Sequence, residues 1–159
     1  MGILVQGILC YGFRIKDEDG NEENVTINWL PKDPDGAEGD FEDFLAKLFG
    51  LKEPDSQYDE KRYATDPEYK RMWSSYWEKK NKLEEEIGVT LVHHCSGEQR
   101  MCILAVTESV REANWGEPVN LGQSITDKQT EWREKLRAFC ERVNIQFEEP
   151  QLILCSYYG

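Results

Sequence analysis

Apolar residues recur at alternate positions near the start of the chain, which predicts a long β-strand over residues 3–16. The pair Asp19-Gly20 is a favourable hairpin turn, and residues 25–30 then predict a returning strand. The apolar side chains of the first strand fall on one face, and they are Ile3, Val5, Leu9, Tyr11, Phe13 and Ile15.

Three later segments show helical patterns. Asp40 can cap a helix over residues 41–50, and the Asp66-Pro67 pair begins a longer helix over 66–87 after a polar stretch. A capping box made by Thr126 and Gln129 predicts a third helix over 127–143. The apolar stripe of this last helix consists of Trp132, Leu136, Phe139, Cys140 and Val143.

Two further strands are predicted over residues 88–96 and 101–110, and a last one over 150–159. The element order is therefore β-β-α-α-β-β-α-β. It predicts an α+β fold with a mainly antiparallel sheet of about five strands and three helices. We expect a single domain over residues 1–159, with an acidic loop and helix region over 17–60 and a possible inserted helix over 66–87.

Length and composition place the chain among cytoplasmic globular proteins. At 159 residues it can bury a core without metal or disulfide support, and no apolar run is long enough to span a membrane. Five scattered cysteines suit reduced thiols better than a disulfide framework, and no cofactor is predicted.

Acidic residues are concentrated in one region. The formal net charge is −12, and residues 17–60 hold fifteen acids against three lysines. This charge favours a basic host protein or nuclease as the partner and disfavours direct binding of nucleic acid, although solvated loops that aid solubility explain it too. The predicted contact acids are Asp17, Glu18, Asp19, Glu22, Glu23, Asp33, Asp35 and Asp40.

The second predicted helix mixes aromatic and basic residues. Trp73 and Trp77 are its largest side chains, and three interpretations are open: core packing, a protein-binding patch, or stacking on nucleic-acid bases. We include both tryptophans among the predicted partner-binding residues.

The central hairpin holds a possible metal or thiol site. A four-residue loop over 97–100 would set Cys95 opposite Cys102. A two-residue turn at Gly97-Glu98 would instead set His93 opposite Cys102. Both registers place His93, Cys95 and Cys102 on one face, a ligand set that zinc accepts. Their spacing is unlike that of known zinc motifs, so a buried hairpin with packed thiols is the alternative.

Motifs of the common enzyme classes are absent from the sequence. It contains no nucleophile elbow, phosphate-binding loop, dinucleotide fingerprint or His-Glu-x-x-His motif, and the acidic turns miss the spacing of an EF-hand. We therefore predict a non-enzymatic protein.

Three segments carry a resemblance to known proteins. "GILCYGF", "VHHCSGEQRMCILAV" and the stretch from "WREKLRAFCERVNI" to "EPQLILCSYYG" resemble a group of small bacteriophage-encoded proteins. That group shares a Tyr-Gly strand, a His-Cys-Ser hairpin and a Ser-Tyr-aromatic-Gly terminus. The resemblance implies a phage or mobile-element context, in which an acidic protein inhibits a host defence or nucleic-acid-handling protein. A zinc-binding or thiol-dependent protein and a phage assembly accessory protein are the alternatives.

Overall fold

The computed structural model describes residues 5–32, 36, 39–54, 57–114 and 116–158. It shows an α+β fold with one mixed five-stranded sheet. The strands are β1 Val5–Arg14, β2 Val89–Ser96, β3 Arg100–Val106, β4 Arg111–Asn114 and β5 Gln151–Tyr158. The described helices are α1 Phe41–Leu48, α2 Glu60–Thr65, α3 Pro67–Ile87, α4 Ser124–Asp127 and α5 Gln129–Val143, with a 3-10 turn over Thr107–Ser109.

The chain divides into two compact units. Unit 1 comprises residues 1–29 and 88–159 and contains the sheet with α4 and α5, whereas unit 2 comprises residues 30–87 and contains α1, α2 and α3. The segment between β1 and β2 that forms a unit of its own therefore covers residues 30–87, whereas the possible inserted helix was predicted over 66–87. Within the described ranges, no helix has both the length and the apolar content needed to cross a bilayer.

Strand β1 is the centre of the sheet. One edge of β1 pairs with all of β5, from Val5 opposite Tyr158 to Gly12 opposite Gln151. The other edge pairs with β4 in its first half and with β3 in its second half. Because β2 joins β3 to β5, the pairings of β1, β3, β2 and β5 form a closed cycle, and only the β2–β5 pairing is parallel.

Gly12 lies where β1 contacts both neighbouring strands. It is the Cα partner of Ala105 in β3 and of Gln151 in β5. A Cβ atom on Gly12 would lie 2.1 Å from the carbonyl oxygen of Leu104 and 2.8 Å from Cα of Ala105. Only glycine therefore permits this close approach of the two backbones.

Ser109 bridges the interruption between β3 and β4. Its buried hydroxyl accepts a hydrogen bond from the backbone N–H of Tyr11 at 2.9 Å and donates one to the carbonyl of Val106 at 2.6 Å. The side chain thus satisfies two backbone groups at the point where the 3-10 turn interrupts the ladder.

The two faces of the sheet bury different sets of residues. One face holds an apolar cluster of Ile8, Cys10, Val92, Ile103 and Ala105. On the other face α5 contacts β1, β2 and β3, and the rings of Tyr11 and Trp132 lie 5.8 Å apart. The predicted stripe of α5 is confirmed at Trp132, Leu136, Phe139 and Cys140, which are buried, whereas Val143 is half-buried.

Helix ends in unit 2 follow the predicted caps. Asp40 accepts hydrogen bonds from the first backbone amides of α1, and Gly50, with φ of 74°, follows its last turn. Asp66 accepts from the amides of Glu68 and Tyr69 at the start of α3. The predicted starts of both helices are confirmed.

Some predicted elements are wrong. Residues 25–30 form turns and extended backbone rather than a returning strand, although Ile27 and Leu30 are buried. The predicted capping box does not form, because Thr126 Oγ1 donates to the carbonyl of Gln123 and Gln129 Nε2 donates to that of Ile125. Helices α2 and α4 and strand β4 lie in segments predicted as polar or irregular.

We predict that Gly12→Ala destabilises unit 1 by about 3 kcal/mol or more, because the new methyl group would overlap the β3 backbone. Gly7→Ala is the matched control in the same strand, since its nearest neighbouring atoms would lie 3.9 Å away. Native-state amide hydrogen exchange of β1 and β3 measures the change in unit 1 alone. Equal protection in the two variants would contradict this account of Gly12.

Candidate functional site

The acidic loop, which we define as residues 16–29, follows β1 in unit 1 and contains five of the predicted contact acids. Its turn is organised by Asp17. The Asp17 carboxylate accepts hydrogen bonds from the backbone amides of Asp19 and Asn21 at 3.0 and 2.8 Å and from the Asn21 side chain at 3.0 Å. These bonds lower the pKa of Asp17, and the bond from the Asn21 side chain has the largest effect. Asp17 therefore shapes the loop from within.

The loop is tied back to the sheet at two points. Ile15, just before it, donates its backbone N–H to the carbonyl of Cys102 at 2.9 Å. Asn24 donates to the carbonyl of Arg100 at 2.8 Å and accepts the Arg100 N–H on its side-chain oxygen at 3.0 Å. Both ends of the acidic turn are thus fixed against β3.

The remaining acids of the loop differ in whether they have a cationic neighbour. Glu22 is half-buried and pairs with Arg14 at 3.2 Å. Glu18, Asp19 and Glu23 are exposed, and among the described residues they make no ion pair. These three carboxylates are the ones that the loop presents to solvent.

Two cavities flank the loop within unit 1. The larger, of about 680 Å³, is lined by apolar side chains that include Phe13, Trp29 and Ile145 and by the charged residues Arg14, Lys16, Asp17, Glu18 and Glu148. The smaller, of about 450 Å³, is lined by Asp17, Glu18, Asp19 and Glu23 with Lys16 as the cation. The loop therefore has an aromatic and apolar cavity on one side and an acidic cavity on the other.

The other predicted contact acids belong to the region of unit 2. Asp33 and Asp35 lie outside the described residues. Asp40 caps α1 through its Oδ1 atom, which accepts from the amides of Glu42 at 2.8 Å and Asp43 at 3.2 Å. A hydrogen bond between the carboxyl groups of Asp40 and Glu42, together with burial, raises the pKa of Glu42 to about 7. The same bond lowers the pKa of Asp40.

The aromatic residues of α2 and α3 pack together in unit 2, where Tyr69 and Trp73 are buried. Trp73 is 2% exposed, and its ring centroid lies 5.3 Å from that of Tyr58 and 5.6 Å from that of Trp77. Trp73 is thus almost fully enclosed within unit 2, and its role as a contact residue stays a prediction. Trp77 is half-buried and also packs on Tyr58 and Tyr63, at 5.3 and 5.5 Å.

The hairpin adopts the register of the two-residue turn, with His93 opposite Cys102 and Cys95 opposite Arg100. Cys102 Sγ lies 3.2 Å from His93 Nδ1, whereas Cys95 has φ of 76°, so the strand is distorted there. Among the described residues, no group of three or more His, Cys, Asp or Glu side chains could hold a metal ion. The structure therefore brings two of the three predicted ligands together as a thiol–imidazole pair.

Comparison with known proteins finds no matching family model, no matching curated protein and no matching solved structure.

We predict that Glu42 makes the stability of unit 2 depend on pH. Because its folded-state pKa of about 7 lies above the ordinary value of 4.5, the folded state keeps a proton that the unfolded chain releases. Its stabilisation is complete below pH 4.5 and is lost as the pH rises through about 7. The loss is on the order of 1 kcal/mol, since the site is partly open to solvent.

Carboxyl-carbon NMR titration of Glu42 measures this pKa directly. Glu42→Gln should flatten the pH dependence of the stability of unit 2 between about pH 5 and about pH 7. The control Glu86→Gln, at an exposed position of α3, should leave that pH dependence unchanged. Titration of Glu42 near its ordinary value would show that the shared proton does not exist.

Proposed function

We propose that this protein is a non-enzymatic binding protein whose acidic loop engages a basic surface of a host protein. The observation that carries this proposal is that Glu18, Asp19 and Glu23 extend from a hydrogen-bonded loop without a cationic partner among the described residues. Unpaired surface carboxylates in one cluster attract a positively charged partner and accelerate its association.

Order in the loop supports binding rather than mere solvation. The turn is held by the Asp17 hydrogen bonds and by the two-point attachment of Asn24 to Arg100. A loop that is already ordered loses less conformational entropy when a partner binds, so more of the contact energy contributes to affinity.

The larger cavity gives the loop a means of selecting a basic side chain. A lysine or arginine stem could pack along Trp29 and Phe13 while its charge lies near Glu18 or Glu148. Long basic side chains combine an apolar stem with a charged end, and this mixed wall matches both parts. Nucleic acid is a poor match, because its phosphates would face the same carboxylates.

The resemblance to phage-encoded proteins supplies the context of the proposal. In the cytoplasm of a host cell, the partner would be a defence protein or a nuclease whose basic groove normally holds nucleic acid. The acidic loop would occupy that groove and inhibit the partner by competing with its substrate.

We predict that neutralising the loop with Glu18→Gln, Asp19→Asn and Glu23→Gln abolishes capture of the basic partner from host lysate. The matched control carries Glu68→Gln, Glu85→Gln and Glu86→Gln, which remove the same charge from exposed positions of α3. Capture by the unchanged protein and by the control should both fall between about 50 and 300 mM salt, because the contact is electrostatic.

Equal loss of capture in the loop variant and in the α3 control would show that only net charge matters. Capture that is independent of salt, or that survives loop neutralisation, would exclude the acidic loop as the binding surface. Circular dichroism of each variant establishes that the fold is intact.

A further inference from the structure

The sheet face on which α5 packs extends across β4, β1 and β5. Beside the N-terminal half of β1, this face is apolar and exposed. Leu9 and Leu154 are direct cross-strand partners in the β1–β5 ladder, and Leu154 is 78% exposed. Leu152 and Tyr158 extend the same face along β5 and are 40% and 51% exposed. Several large apolar side chains at this exposure on one face of a sheet mark an interaction surface.

Helix α5 covers only the other half of this face. Its Trp132 ring packs on Tyr11, whose ladder partner in β5 is Leu152. Two positions before Tyr11 on the same face, Leu9 is half-buried, and its partner Leu154 is largely exposed. The apolar surface therefore begins where the cover by α5 ends.

This half of the face carries no acidic residue among its described positions. Alternation along the strands places Gly7, Leu9, Leu152, Leu154, Ser156 and Tyr158 on it, together with Ala113 and Arg111 of β4. Arg111 uses its guanidinium internally, donating to the carbonyls of Glu108 and Val110 at 2.7 and 2.9 Å. The described positions of this face thus hold none of the 31 acidic residues of the chain.

We propose that this face binds a second copy of the same chain. Two molecules with this net charge repel each other wherever their acidic surfaces meet, so an acid-free face is where two copies can approach. A basic partner would instead be drawn to the acidic loop, which follows the opposite end of β1. The charge distribution thus assigns the apolar face to self-association.

A two-fold axis that lies in the plane of the interface, parallel to the face, makes the contact self-complementary. Each copy would present Leu152 and Leu154 to the same residues of the other, as an isologous dimer requires. The two sheets would then pack about 10 Å apart, with the leucines in the shared layer. We expect a micromolar dimer rather than an obligate one, since obligate interfaces bury much larger apolar areas than a few exposed side chains supply.

Dimerisation would place two acidic loops on one particle. The face and the loop are separated by about 15 Å or more along β1, so both can be occupied together. A dimer could therefore engage two basic sites at once and gain avidity. The self-association itself does not depend on the proposed function of the loop.

Sedimentation velocity of the full chain over about 1–200 µM tests the proposal, because this range brackets a micromolar dimer. We expect the unchanged protein to shift from monomer to dimer and Leu154→Glu to stay monomeric throughout. Met72→Glu is the matched control, since Met72 is 42% exposed on α3, and it should dimerise like the unchanged protein. Leu154→Ser, which adds no charge, should weaken the dimer at least tenfold.

The variant is expected to fold, because Leu154 has few buried contacts to lose, and its circular dichroism and melting temperature should match those of the unchanged protein. A protein that stays monomeric up to the highest concentration would overturn the proposal, as would a Leu154→Glu variant that still dimerises. If the chain is monomeric and Leu154→Glu only reduces capture of a host protein, the face belongs to a heterologous interface and the proposal is wrong.

Discussion

The close backbone approach at Gly12 is the constraint on which the rest of unit 1 depends. At this residue β1 pairs with β3 on one edge and with β5 on the other, and the carbonyl of Leu104 occupies the space where any side chain would begin. Because β1 is paired on both edges here, its position is fixed, and the segments before and after Gly12 have different surroundings. The N-terminal half belongs to a face without acidic residues among its described positions, and the C-terminal end leads into the acidic loop.

Hydrogen bonds from side chains maintain this arrangement where the strand ladders stop. Ser109 satisfies Tyr11 and Val106 across the gap between β3 and β4, and Asn24 attaches the returning loop to Arg100. Without the Ser109 hydroxyl the buried backbone groups of Tyr11 and Val106 would be unsatisfied, at a cost of about 1–3 kcal/mol for each. The same kind of bond uses the carboxylates of Asp17 and Asp40, so part of the acidic composition stabilises the fold and only part is exposed to solvent without such a bond.

Long elements with a regular apolar pattern could be predicted from the sequence, and irregular ones could not. The alternation of β1 and the stripe of α5 depend on local periodicity, which the sequence shows directly. Strand β4 has the sequence Arg-Glu-Ala-Asn and pairs on only one edge, with β1, so it lacks an apolar pattern. Residues 25–30 have the apolar content of a strand but bury Ile27 and Leu30 without joining the sheet.

In the candidate site, too, some features could be predicted from the sequence and others depend on the folded structure. The concentration of acids was visible in composition, but which carboxylates are engaged within the loop depends on hydrogen bonds that composition does not reveal. Whether His93 or Cys95 lies opposite Cys102 depends on the length of one turn, and the sequence was compatible with two lengths. The burial of Trp73 followed from packing among aromatic residues separated along the chain.

The most direct measurement of the central claim is a titration of the isotope-labelled protein with a lysine-rich peptide, followed by amide NMR. We expect saturable shift changes at Glu18, Asp19 and Glu23 that disappear on addition of about 300 mM salt, while the exposed acids of α3 change little. Equal changes at the α3 acids, or none in the loop, would contradict the claim that this ordered acidic loop is the binding surface.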